Sequence, residues 1–238
     1  MTILEVCVDT AEGLLAAHQG GADRIELCSA LELGGLTPSP GLLALAAQRK
    51  VTARAMIRPR AGDFVFNSAD LDQMRADIAA VRAHGLEGVV LGAGLPDGRL
   101  DLDMLKALVQ ASQGLGMTLH RAFDLVPDIE EAVKAAIALG FDTILTSGRA
   151  PSAPAGLGDL VKIHQVAAGR LAIMAGAGIN ADNVCTILAA VPLEAVHGSC
   201  SQAAQPDTPP AAKLGFVSPG RRVTRRDGVA ALKAALMR

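Results

Sequence analysis

One unit recurs eight times along this chain: a short β-branched or apolar segment, then a longer Ala- and Leu-rich stretch with helical spacing. The spacing predicts strands over Thr2–Val6, Asp23–Leu27, Thr52–Ile57, Gly88–Leu91, Met117–Leu119, Thr143–Leu145, Leu171–Met174 and Glu194–Val196. Helices are expected over Ala11–Gln19, Pro40–Arg49, Ala69–His84, Leu102–Ser112, Ile129–Leu139, Leu160–Ala167, Asn180–Ala190 and Val229–Met237. Pro40 marks a start, Ser68 is a candidate N-cap, and Gly20, Gly85, Gly114 and Gly140 fall at or just past helix ends. Strands separated by helices must pair in parallel, because only a crossover returns the chain to the same edge. Eight such units close into an α/β fold of the (β/α)8 TIM-barrel type, a single domain over residues 1–238. The alternative is an open doubly wound sheet, but Val8-Asp9-Thr10 stands where that fold carries its glycine fingerprint. The connection at about 201–226, rich in Pro, Gly and Arg, is too long for an ordinary loop and reads as a lid or a disordered excursion.

Composition removes several classes of function. No apolar run is long enough to span a bilayer, and the N-terminus lacks a basic segment followed by an apolar stretch. A soluble, cytoplasmic protein without a membrane partner is expected. Four cysteines in 238 residues make no disulfide scaffold, so Cys7 and Cys28 are read as free thiols in a reducing compartment. Lys and Arg number 22 against 24 Asp and Glu, which leaves no global attraction to nucleic acid. From Lys213 to Arg238 seven basic residues face one Asp, a tail read as a solvated loop or as an anion or oligomer contact. With no Trp, no Tyr and five Phe, no base-stacking surface is available and no nucleic-acid partner is expected.

Barrel proteins of this kind pack branched apolar side chains inside and carry chemistry on the loops after each strand. Glu5-Val6-Cys7 and Glu26-Leu27-Cys28 put the same acid-then-thiol pair, two residues apart and so on one face, on two successive strands. A carboxylate inside a strand must be paired or protonated, and Arg58, Arg60 and Arg121 are the candidate partners. Cys7 and Cys28 read as small buried hydrophobes, as redox or nucleophilic thiols, or as ligands for a soft ion such as Cu(I). Cys185 falls in a predicted helix as a packing residue, and Cys200 is placed to see the mouth.

His120-Arg121-Ala122-Phe123-Asp124 is the densest polar cluster: an imidazole to move protons, a guanidinium to clamp an anion and a carboxylate to orient either. Pro59 holds Arg58 extended, which pre-orders a second anion contact with Arg60. Gly176 and Gly178 after strand seven, His197 and Ser199 after strand eight and Ser147 after strand six outline a phosphate cup, or else a tight turn. Only the end of strand four, Leu91-Gly92, is chemically quiet. Three functional readings follow. One is a copper-binding protein with Cys7 and Cys28 as metal ligands. Another is an isomerase or lyase acting on a phosphorylated or carboxylated small metabolite. There Glu26, His120 and Asp124 are catalytic, and Arg58, Arg60, Arg121, Ser147, Gly176, Gly178, His197 and Ser199 hold the anion. The third is a non-catalytic scaffold.

From Leu4 to about Ser199 the chain resembles the CutC family, described as copper homeostasis proteins. The resemblance rests on Glu5-Val6-Cys7, Gly21-Ala22-Asp23-Arg24-Ile25-Glu26-Leu27-Cys28, Gly34-Gly35-Leu36-Thr37-Pro38-Ser39, Ile57-Arg58-Pro59-Arg60, Gly62-Asp63-Phe64, His120-Arg121-Ala122-Phe123-Asp124, Leu145-Thr146-Ser147-Gly148 and Met174-Ala175-Gly176-Ala177-Gly178-Ile179. It implies a TIM barrel, a cytoplasmic homo-oligomer, and copper handling with Cu(I) on Cys7 and Cys28. The chain departs from the family pattern after strand eight, where it reads His197-Gly198-Ser199-Cys200-Ser201.

Overall fold

The eightfold alternation closes a barrel. The computed structural model describes residues 2–204, 209–217 and 221–237. Its parallel strands are β1 (Ile3–Val8), β2 (Arg24–Leu27), β3 (Ala53–Met56), β4 (Gly88–Leu91), β5 (Gly116–Leu119), β6 (Thr143–Thr146), β7 (Ala172–Ala175) and β8 (Ala195–Gly198). They pair in chain order and β8 returns to β1, so the open-sheet alternative is excluded. Around them run α1 (Ala11–Gln19), α2 (Pro40–Gln48), α3 (Ser68–Ala83), α4 (Leu102–Ala111), α5 (Ile129–Leu139), α6 (Leu157–Ala167) and α7 (Val184–Ala190).

Local chemistry sets these boundaries. Thr10, Ser39, Asp101 and Asp128 each accept an amide of the first turn, at α1, α2, α4 and α5. The cap of α3 is Asn67 rather than Ser68, because Asn67 and Asp70 form a reciprocal capping box. Helix α7 starts later than expected: Asn180 accepts the amides of Asp182 and Asn183 in a turn of its own.

The long connection carries secondary structure at both ends. Strands β9 (Ser201–Ala203) and β10 (Arg222–Thr224) form an antiparallel ribbon, helix α8 (Pro209–Lys213) lies between them, and α9 (Arg226–Ala235) follows. Residues 205–208 and 218–220 of this connection, and Arg238 of the basic tail, lie outside the described residues. No helix among the described residues is long and apolar enough to cross a membrane.

The main core sits between barrel and helices, where Leu4, Val6 and Val8 of β1 meet Leu14, Leu232 and their neighbours. The expectation of a branched apolar interior needs correction: Glu5, Arg24, Glu26 and Arg54 are all buried on strands. Small residues make that possible. A Cβ on Gly116 would lie 2.7 Å from Arg54 Nη2. Arg54 fills that space, donating to Thr118 (2.8 Å), Asp142 (2.6 Å) and Glu87 (3.1 Å) at the N-terminal end of the barrel.

Candidate functional site

Register assembles the mouth around β1. Glu5 stands beside Arg24 of β2 and His197 of β8, and Cys7 stands beside Glu26 of β2. Side chains two apart share a strand face, so Glu5 with Cys7, and Arg24 with Glu26, form two stacked levels inside the barrel. On the lower level Arg24 Nε donates to Glu5 Oε2 and His197 Nδ1 lies 2.9 Å from Glu5 Oε1. The partner of Glu5 is thus Arg24, not Arg58, Arg60 or Arg121; a residue in register needs no loop excursion to reach it.

On the upper level the ligand atoms of Cys7, Glu26 and His197 all lie within 4.8 Å of one another, and all three residues are buried. Because Nδ1 of His197 is tied to Glu5, Nε2 is the nitrogen left for this cluster, 3.8 Å from Glu26 Oε2. The Cys28 thiol donates to that same Glu26 oxygen (3.3 Å), while Glu26 Oε1 has no hydrogen-bond partner among the described residues.

Burial alone would raise the Glu5 carboxyl, but the hydrogen bond from His197 and the Arg24 charge outweigh it and hold it at about 2. Glu26 moves the other way, pushed up by burial and by the neighbouring Glu5 despite the pull of His197. Burial opposes protonation of His197, yet Cys7, Glu26 and Glu5 around the ring keep it well above an ordinary histidine. Burial, reinforced by Glu26, drives the Cys28 thiol well above the usual range, so it stays protonated.

A cavity of about 270 Å³ opens over this cluster at the C-terminal end of the strands. Cys7, Glu26, His120, Arg121, His197 and Ser199 are on its wall, and so is Gly178. Six other residues singled out in the sequence, Cys28, Arg58, Arg60, Asp124, Ser147 and Gly176, are not on that wall. Cys28 packs with Met56 and Val90. Arg58 donates to the carbonyls of Leu33, Gly35 and Gly62 and lies over the Phe64 ring. Arg60 turns to Asp63, Asp70 and the Val65 carbonyl. Asp124 accepts from Arg121, Thr146 and Ser147, and so ties the loops after β5 and β6 together. Gly176 packs under Leu145 and His197.

Other residues shape the site that the sequence reading did not single out for it. Phe64 lies against the His120 ring, with centroids 4.8 Å apart. Gly92, the quiet end of strand four, has a role through its missing side chain: a Cβ there would lie 2.5 Å from the His120 ring. Cys185 is exposed instead of packed, and Cys200 lines a groove against α9, not the mouth cavity.

Comparison with known proteins places this geometry in a family. The model of the CutC family matches residues 2–202. A CutC family protein of Rhizobium meliloti (strain 1021) is 53% identical over 233 residues, 98% of this chain and 95% of the relative. The crystal structure of the putative copper homeostasis protein CutC from Streptococcus agalactiae superposes with a TM-score of 0.80 at 30% identity, covering 84% of this chain and 99% of that one. Phosphoribosyl anthranilate isomerase from Thermotoga maritima shares the fold alone, with a TM-score of 0.60 at 14% identity over 100% of this chain and 99% of the other.

Proposed function

The chain belongs to the CutC family, and from that premise we propose that it handles copper as cargo, holding Cu(I) at the barrel mouth. The observation that carries this reading is the approach of Cys7, Glu26 and His197 ligand atoms to within 4.8 Å of one another. The donor set suits the ion: a thiolate is the soft ligand that favours Cu(I), and the His197 imidazole is compatible with it once binding displaces the proton that its neighbours favour on the ring. Glu5 supplies the outer-shell carboxylate that fixes which imidazole nitrogen is offered. Cys7 and His197 are the principal ligands in this reading. Cys28 braces Glu26 and joins as a second thiolate only by giving up that bond.

The putative copper homeostasis protein of Streptococcus agalactiae lends the reading its biological sense. The same reading takes the protein to be a cytoplasmic homo-oligomer, in keeping with four free cysteines that suit a reducing compartment. Anaerobic Cu(I) titration against a strong chelating competitor, followed by native mass spectrometry, tests the site. One copper per chain is expected, lost in Cys7→Ser and in His197→Ala and retained in Cys28→Ser. Failure of the wild-type protein to take copper from the competitor, or unchanged uptake in Cys7→Ser, would sink it.

A further inference from the structure

The copper reading leaves the other wall of the cavity without work. His120 follows β5, is 2% exposed, and receives the Ala122 amide on Nδ1 at 3.2 Å. A nitrogen that accepts an amide proton presents its lone pair, so in a neutral ring the hydrogen sits on Nε2. Burial and the nearby Arg58 charge hold the ring down to about 3, which keeps it neutral throughout the physiological range. Nε2–H is therefore a fixed donor, and it has no partner among the described residues. The ring cannot easily turn away, with Phe64 against it and Gly92 beneath it. An N–H also has no lone pair for a metal, so this group is separate in chemistry from Cys7 and His197.

A second set of donors stands on the same cavity. Ala177, Gly178 and Ile179 line it, and among the described residues none of their amides meets an acceptor. Left-handed φ angles of 70° at Ala177 and 79° at Gly178 turn this loop sharply. Arg121 adds a cation to the wall while its Nε is held by Asp124. An unmatched buried N–H, free amides and a guanidinium around one cavity all ask for oxygen. At about 270 Å³ the cavity lies at the lower limit of metabolite pockets, too small for a nucleotide cofactor.

We propose that the mouth also binds a small organic oxoacid of a few carbons, with a carbonyl or carboxylate oxygen on His120 Nε2–H and its anionic group on the Ala177–Ile179 loop and Arg121. His120 then recognises oxygen as a neutral donor and does not act as a base. This binding needs no metal, and the copper reading can fail without it.

The test uses metal-free, ¹⁵N-labelled full-length protein with pyruvate and 2-phosphoglycolate as probes. Long-range ¹H–¹⁵N spectra should show His120 as the Nε2–H tautomer, unchanged from about pH 5 to about pH 8. At least one probe should shift the His120 Nε2 signal and the Ala177–Ile179 amides together and saturably. Affinity should fall about tenfold or more in His120→Leu, the loss of roughly one good hydrogen bond, and recover in His120→Gln, which restores an N–H. A titrating or Nδ1–H ring overturns the proposal on wild-type protein alone, whatever the variants do. So do the absence of any shift with both probes and an affinity unchanged in a folded His120→Leu protein.

Discussion

At the N-terminal end of the barrel Arg54 divides its guanidinium among Thr118, Asp142 and Glu87, whereas at the C-terminal end Glu26 and His120, both on the wall of a cavity, each bury a polar atom left unmatched among the described residues. Both ends bury charge or potential charge inside strands. Only the lower one matches nearly all of it, with Arg54 Nε left over. Buried polar groups stabilise a fold when matched and cost about 1–3 kcal/mol each when not. The lower network therefore reads as structure and the upper one as a binding surface. Glu5 and Arg24 form the layer between, matched to one another and yet orienting His197 above.

Asp142 offers the strongest way to break that contrast. In Asp142→Ala the Arg54 side chain, 6% exposed, loses its principal partner, and the Met117 amide loses its acceptor. A stability loss of about 3–5 kcal/mol is expected by urea denaturation, with Cu(I) and pyruvate binding at the mouth unchanged in the folded fraction. A loss below about 1 kcal/mol would remove the structural role of the lower network.

Glu5→Gln tests the layer between. The variant should lose roughly 3 kcal/mol near neutral pH, the worth of holding that carboxyl at about 2 against an ordinary 4.5. A carboxyl with a lowered folded pKa stabilises above its unfolded value and loses that contribution as pH falls through the folded one. Wild-type stability should thus decline from about pH 4.5 toward pH 2 through this group, and the Gln variant should lack that share of the acid limb. Freed from Glu5, His197 should bind copper about 10–100-fold more weakly; equal affinity would show that Glu5 serves stability alone.

Much of this was legible in the sequence and some was not, for physical reasons. Eight strands and their helices follow from local periodicity, and β4 falls on its expected residues, Gly88–Leu91. The duplicated Glu-x-Cys pattern put Glu5 with Cys7, and Glu26 with Cys28, on one face of each strand, because a two-residue step is a property of any strand. Register is not local. The pairing of Glu5 with Arg24 and His197 depends on how β1 slides against β2 and β8, and no single segment encodes that. Arg24 was within reach, since it precedes Glu26 by the same two-residue step that links Glu5 to Cys7. Gly92 was not, because its contribution is the absence of atoms where the His120 ring must lie. The arginines of the loop after β3 drew attention as anion ligands, but whether a guanidinium faces a cavity or backbone carbonyls depends on the fold of neighbouring loops. Arg58 is spent on three of those carbonyls.

Glu26→Gln gives the smallest expected change in stability and the sharpest reading of the contrast. The amide keeps an oxygen to accept the Cys28 thiol and removes a carboxyl that Glu5 and burial both disfavour as an anion. His197 loses one of its carboxylate neighbours in exchange, so the net change should stay within about 1 kcal/mol, far below that of Asp142→Ala. Its sign should drift with pH. An acid whose folded pKa is raised favours the fold while protonated, below about 4.5, and loses that advantage as pH rises through its folded value. Gln does not titrate, so the variant should gain on wild type between acid and neutral pH when chemical denaturation is compared along that series. A buried carboxylate whose removal costs the fold little is one retained for what it binds. A loss of 3 kcal/mol or more, on the order of the lower network, would instead make Glu26 a structural residue and erase the distinction between the two ends of the barrel.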